Sequence, residues 1–397
     1  MLIVAGCVMR NLLNCSKALM IFGALVAFLS ANGVKADGGQ APASTGQVAD
    51  SKLTIPYGDW DYFLKKIVFD VGKPDRRRPE RLVSKTATRI SFEDRSISRF
   101  EANRIQYNLI SDKALGQLKL FRKSLEQTAS DPVFAQLRAD ERLAFWLNLH
   151  NVAVVELVAE AYPVRDAEAY MKKKARRKFM EINGELWSVN DIEDYVITRW
   201  QDQRVIYGFH RGYIGSPVLR PLSFTGQTVW DDLNDNADEF ANSLRGIIFK
   251  DNVAYVSTFY QTVGIAFPSF EEDLRAFLPT VLKPELTGRL ANTDKIKANQ
   301  RNRLVADLYG GTEARPGQSS NTNPIALFTA TDHDTAVFLY GLATKDPSNP
   351  RVPQRLLNLW KEVTERKIRQ SEGGRVTVES VETIDAEEET EKEDKPD

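Results

Sequence analysis

The side chains able to do chemistry in this chain are few. Its 397 residues contain three histidines, His150, His210 and His333, and two cysteines, Cys7 and Cys15. His210 stands in a glycine-broken block, Gly208 to Leu219 (GFHRGYIGSPVL), that also carries Ser216. A serine nucleophile needs an adjacent base, and His210 is the nearest histidine in sequence, so Ser216 and His210 form the candidate catalytic pair. Against it, the Gly-Ser-Pro setting lacks the Gly-x-Ser-x-Gly elbow that presents a serine on a strained strand-to-helix turn. The glycines allow backbone to approach a neighbour closely, which makes the intervening Arg211 and Tyr213 candidate binding residues.

A second cluster lies in Leu143 to Pro163, LAFWLNLHNVAVVELVAEAYP, an apolar helical stretch interrupted by Asn148, His150 and Asn151. At about 100° per residue, Asn148 and Asn151 share one stripe, Arg142, Glu156 and Glu160 share another, and His150 falls elsewhere. The charged stripe is the one suited to water, so the two amides are expected to be buried. A buried amide without partners costs about 1 to 3 kcal/mol, so they must be hydrogen-bonded. Asn148, His150 and Asn151 are therefore either binding residues lining a polar cleft or fasteners of neighbouring backbone such as the glycine-rich block. The second reading is favoured, because most buried polar groups are structural.

His333 between Asp332 and Asp334 invites a metal reading, but alternate residues in a row rarely converge on one ion, and a helix cap by Thr331 or Asp332 is preferred. No zinc-protease, P-loop, Rossmann or EF-hand pattern is present, so no metal or cofactor is expected. The basic run Lys172, Lys173, Lys174, Arg176, Arg177 and Lys178 could hold a polyanion, although most such runs are simply solvated. The aromatic residues Trp146, Phe179, Trp187, Trp200 and Trp230 read as core.

The elements that must position these residues follow from periodicity. Helices are expected over Asp59 to Phe69, Asp112 to Thr128, the signature stretch after Asp140, and a segment with Val229, Leu233, Ala237, Phe240 and Leu244 on one face. Ser98 with Glu101, and Ser269 with Glu272, form capping-box patterns ahead of two more. Asn183-Gly184 and Asp251-Asn252 mark two hairpins, and Asp131-Pro132 marks a helical start.

FWLNLHN, the Tyr-Pro helix end, the Asn-Gly hairpin and GFHRGYIGSP with the following FTGQTVWDDL together resemble the family called domain of unknown function 547, over roughly Tyr57 to Leu282. That family commonly has Cys-Pro where this chain has Ser216-Pro217. The resemblance implies an α+β fold, mostly helical around a small antiparallel sheet, with a loose similarity to papain-like and transglutaminase-like folds. If the family's cysteine acts in relatives, this chain has oxygen in place of sulfur.

Arg10 and Lys17 precede the apolar run Ala18 to Leu29, and small residues lead to Val34-Lys35-Ala36, the layout of a signal peptide cleaved after Ala36. Translation starts at Met1 or at Met9. The expected organisation is a leader over 1–36, a flexible linker over 37–53, the domain over 54–282, a helical extension over 283–370 and a disordered acidic tail over 371–397. Cleavage would remove both cysteines, which excludes a cysteine nucleophile and thiolate metal sites from the mature chain. The stretch from Glu372 to Asp397 holds eleven acids and three bases, a net of −8, against +3 for the leader, leaving a mildly basic body of +4. The expectation is an exported, periplasmic or extracellular protein, not integral to the membrane once cleaved, that binds an envelope component or protein partner. The alternative is a hydrolase or acyltransferase of papain-like ancestry using Ser216 with a histidine; nucleic acid is not an expected partner.

Overall fold

In the computed structural model the described residues are 52–79, 96–308 and 354–373; the leader, His333 and the acidic tail beyond 373 lie outside them. Helix α1 (Gly58–Ile67) buries Trp60, Leu64 and Ile67 and runs into strand β1 (Val68–Phe69), which pairs antiparallel with β2 (Arg104–Ile105). Ser111 caps α2 (Asp112–Ser130) by accepting from the Ala114 amide, and Leu118, Leu125 and Ala129 form its buried face. Asp131 caps the short 3-10 helix Pro132–Gln136, with proline in the first turn as its missing N–H allows. Helix α3 (Ala139–Ala161) follows with Asp140 and Glu141 in its first turn, where carboxylates suit the helix dipole.

Every residue of α3 from Leu143 to Val158 is buried, so this helix is the spine around which the others pack. Its length and composition would suit a membrane span, yet 89% of its most apolar window is enclosed by the rest of the fold. The expectation that its charged stripe faces water holds at Glu160 and fails at Glu156, which is 3% exposed. Arg122 of α2 explains the difference. Its guanidinium donates to Glu156 at 2.7 and 3.2 Å and also to Glu126, so each buried charge is met by an opposite one.

Helix α4 (Ala167–Lys174) is capped by Asp166. Strands β3 (Met180–Ile182) and β4 (Glu185–Trp187) form the first expected hairpin, with φ of 53° at Asn183 and 78° at Gly184, the left-handed pair a two-residue turn requires. Ser188 and Asp191 cap α5 (Val189–Trp200) reciprocally. A 3-10 segment, Gln203–Gly208, leads into the glycine-rich block, and α6 (Val229–Ala241) follows it. Strands β5 (Ile247–Lys250) and β6 (Val253–Ser257) form the second hairpin about Asp251 and Asn252.

Helices α7 (Phe259–Thr262), α8 (Phe270–Phe277) and α9 (Pro284–Ala291) carry the chain back to β7 (Lys295–Gln300), which lies parallel to β6. The largest sheet is therefore mixed, where a purely antiparallel one was expected. A parallel neighbour needs a long crossover, and these helices supply it. The architecture is α+β. Two capping expectations also change. Ser98 opens no helix, and Glu101 instead accepts from the Leu244 and Arg245 amides; ahead of α8 it is Asp273, not Glu272, that accepts from the Ser269 amide.

Leu286, Leu290, Ile296 and Val305 join the same core as α3, so packing continues past Leu282. Helix α10 (Gln354–Gly373) buries Leu359 and Val363, and its Arg366 donates to the carbonyls of Val71 and Phe100.

Candidate functional site

The residues singled out in the sequence meet where α3 passes beneath the glycine-rich block. Each asparagine uses both ends of its amide on one stretch of backbone. Asn148 accepts from the Phe224 amide at 3.0 Å and donates to the Phe224 carbonyl at 2.8 Å, as a neighbouring strand would. Asn151 donates to the Gly208 carbonyl at 3.1 Å and accepts from the His210 amide at 3.2 Å. These are fastenings of irregular backbone to the core helix, and they satisfy groups that no ladder reaches.

The glycines explain why the block fits. A Cβ on Gly212, where φ is 75°, would come within 2.7 Å of a Val158 methyl. One on Gly215 would stand 3.0 Å from the Asn302 carbonyl oxygen. Beyond the glycines, the Ile214 amide donates to Leu304, Gly215 to Asn302 and Ala306 to Gly212, so residues 302–306 close over the outer side of the block. Tyr213 is buried there and bridges to Val305.

Ser216 is 1% exposed, and its hydroxyl donates to the Tyr213 carbonyl at 2.8 Å while accepting from the Arg211 amide at 3.1 Å. No hydrogen bond joins it to the His210 ring. The His210 Nδ1 lies 2.9 Å from the Pro217 carbonyl, which fixes the proton on that nitrogen, and Nε2 is a buried acceptor that finds no hydrogen-bond partner among the described residues. Burial pushes the pKa of this imidazole down to about 4, opposed by the Pro217 carbonyl and assisted by the charges of His150 and Arg245. Two of the elements of nucleophilic chemistry are thus in the same block without the contact that would couple them. The hydroxyl closes a local turn.

His150, fully buried on α3, points both ring nitrogens at acceptors: Nδ1 lies 3.0 Å from Asn151 Oδ1 and Nε2 lies 2.7 Å from Glu193 Oε1. The Asn151 amide cannot be turned round, because its oxygen meets the His210 N–H and its nitrogen meets the Gly208 carbonyl. Each ring nitrogen of His150 therefore has an oxygen within hydrogen-bond reach. Glu193 also accepts from Arg211, whose guanidinium reaches Asn190 at 3.3 Å. One carboxylate thus ties α3, α5 and the glycine-rich block together.

Glu193 was not among the residues picked out by type and spacing. Its signal is its place between Ile192 and Val196, on the buried face that α5 forms with Val189 and Ile197. A lone carboxylate on an apolar stripe needs buried partners, and the block supplies the Arg211 guanidinium while α3 supplies the His150 imidazole.

Of the remaining candidates, Lys172, Lys173, Arg176, Arg177 and Lys178 are exposed at the end of α4 and after it, while Lys174 lies 5.8 Å from the Tyr170 ring. Trp146 is buried as expected; Phe179, Trp187, Trp200 and Trp230 are half-buried against the core. Among the described residues no group of three or more His, Cys, Asp and Glu side chains is placed to hold a metal ion. No curated protein and no solved structure matches the chain. The model of the family described as "Protein of unknown function, DUF547" matches residues 134–241, which contain α3, α5, Ser216 and the whole hydrogen-bonded network around Glu193, and over that stretch the chain resembles this family.

Proposed function

We propose that this is an exported cell-envelope protein whose body is a non-catalytic binding or scaffold domain. The observation that carries the reading is the spending of the candidate catalytic groups on structure: Ser216 donates to a backbone carbonyl, and His210 holds another carbonyl with its only ring N–H. Among the described residues the hydroxyl's hydrogen-bond partners are backbone groups, none of them a base able to take its proton. The leader pattern and the loss of both cysteines with it support export to a compartment where stability comes from the core rather than from disulfides.

The test has two arms. Protein expressed in a Gram-negative host should begin at Asp37 by N-terminal sequencing, and recovery in the cytosol with the leader intact would overturn export. Purified mature protein should show no hydrolysis of acyl esters or amides that Ser216→Ala abolishes. Such an activity would establish the hydrolase or acyltransferase of papain-like ancestry in place of the binding domain.

A further inference from the structure

Residues 301–307 lie in a groove built from three parts of the fold. Its walls present amides: Ala167, in the first turn of α4, donates to the Arg303 carbonyl at 2.9 Å, Gly215 to Asn302 at 2.9 Å, Ile214 to Leu304 at 2.9 Å and Ile105 of β2 to Ala306 at 2.7 Å. In return the Ala306 amide donates to the Gly212 carbonyl at 3.0 Å, and Val305 lies opposite Tyr213 in an antiparallel bridge. Gly215 admits this backbone, since a Cβ there would stand 3.0 Å from the Asn302 oxygen and 3.1 Å from its nitrogen.

Side chains along the segment are sorted as on a strand. Val305 enters the main core, whereas Leu304 and Ala306 belong with Ala102, Ile214 and Val218 to a small apolar cluster separate from it. Asn302 donates to Ser98 Oγ at 3.2 Å, and the Asp307 carboxylate accepts from the Tyr162 hydroxyl at 2.7 Å. The two arginines are more than half exposed and meet carboxylates of α4 and its cap, Arg303 with Asp166 at 3.1 Å and Arg301 with Glu168 at 4.0 Å. Glu168 has a second, buried carboxylate oxygen that finds no hydrogen-bond partner among the described residues, so this acidic flank has capacity for a further donor. Such an arrangement is how a strand edge holds a peptide: main-chain bonds give affinity, and alternate side chains give specificity.

We propose that residues 301–307 are a resident ligand in a peptide-binding groove, and that they give way to a segment of a partner protein with the same chemistry, two basic residues flanking a polar one and then an apolar run closed by an acid. A groove that holds a tethered segment holds the same segment untethered, at an affinity set by how often the resident one is absent. The proposal rests on the preceding reading that the domain works by binding, and it names what is bound. Acyl hydrolysis would refute that reading and leave the groove standing, whereas failure of the peptide experiment would refute the groove alone.

The probe is a fluorescent peptide of residues 301–308, Arg-Asn-Arg-Leu-Val-Ala-Asp-Leu, titrated into the full chain and into its Ala306→Pro variant. Proline removes the amide that bonds Gly212, which loosens the resident segment and leaves the walls of the groove unaltered. The native protein should bind the peptide weakly and the variant about tenfold more tightly, because one lost hydrogen bond multiplies the open fraction by about that factor. Val305→Asp in the peptide should abolish binding, and Arg301→Glu with Arg303→Glu should weaken it. Equal affinity of the native protein and the variant, or a peptide whose binding ignores Val305→Asp, overturns the proposal. Hydrogen exchange of the native protein supplies a second measurement that needs no variant. Fragments containing Ile214, Gly215 and residues 302–306 should exchange at least about tenfold faster than α3, through opening of the segment alone. One common rate for both would mean that the segment leaves only when the whole protein unfolds, and it overturns the proposal even if Ala306→Pro does not fold.

Discussion

His210 should make the fold acid-sensitive in a defined window. In the unfolded chain its imidazole titrates at about 6.5; in the folded protein burial holds it down to about 4. The folded pKa is the lower one, so the unfolded state binds the proton first as pH falls. Stability from this residue is fully present above about pH 6.5 and is lost progressively toward about pH 4. At about pH 5 the unfolded imidazole is almost wholly protonated and the folded one is only about one-tenth so, which amounts to about 2 kcal/mol lost relative to pH 7.5. His210→Asn isolates the effect, because an asparagine amide can still donate to the Pro217 carbonyl that Nδ1 now holds at 2.9 Å. Urea unfolding of both proteins at about pH 7.5, 6 and 5 is the assay. The variant should start less stable, through lost ring packing, yet lose about 2 kcal/mol less than the native protein on acidification. Parallel pH profiles for the two proteins would show that His210 is not held neutral by burial.

Asn148→Leu and Asn151→Leu should each cost about 1 to 3 kcal/mol in urea melts, since the backbone groups of Phe224, Gly208 and His210 lose their partners; unchanged midpoints would place these amides in an open cleft. Glu193→Leu should cost about 3 to 5 kcal/mol by stranding the buried Arg211 guanidinium and leaving His150 Nε2 without its partner, with Glu193→Gln milder, and equal stability of Glu193→Leu and native protein would refute the role assigned to the carboxylate. Gly246→Ala should destabilise far more than Gly208→Ala in thermal melts. The new Cβ at Gly246 would sit 2.0 Å from the Phe240 carbonyl oxygen, which is backbone, whereas at Gly208 it would meet a Leu147 methyl at 2.6 Å that can turn aside. Equal losses would mean that the Phe240 backbone yields as readily as a side chain.

What could be read from the sequence was local. Both hairpin turns, the Asp131 cap and the burial of the two asparagines follow from a few adjacent residues, or from one helix's own period, and all four are present. The failures involve partners distant in the chain. Glu156 looked solvated because nothing nearby says that Arg122, from another helix, will meet it. Glu193 drew no attention because its meaning depends on His150 and Arg211, and the parallel seat of β7 depends on three intervening helices. At the candidate site, residue type alone suggested Ser216 with His210, whereas geometry aims the Ser216 hydroxyl at the Tyr213 carbonyl, 2.8 Å away, and His210 Nδ1 at the Pro217 carbonyl, from which the hydroxyl is 3.5 Å. Spacing in sequence says which groups can meet and leaves open which do.

The closure of residues 302–306 over the glycine-rich block also governs the order in which this protein can be made. As the chain emerges from the ribosome, α3 can gather α2, α5 and α6 early, but β6 keeps an unpaired edge until Lys295–Gln300 arrives. The outer amides and carbonyls of Gly212, Ile214 and Gly215 likewise wait for residues 302–306. Contacts separated by about ninety residues are slow to form, because loop closure must precede their reward. A nascent chain halted before residue 295 would therefore hold a largely assembled helical core with one exposed strand edge, the kind of species that chaperones recognise and that aggregates when none is present.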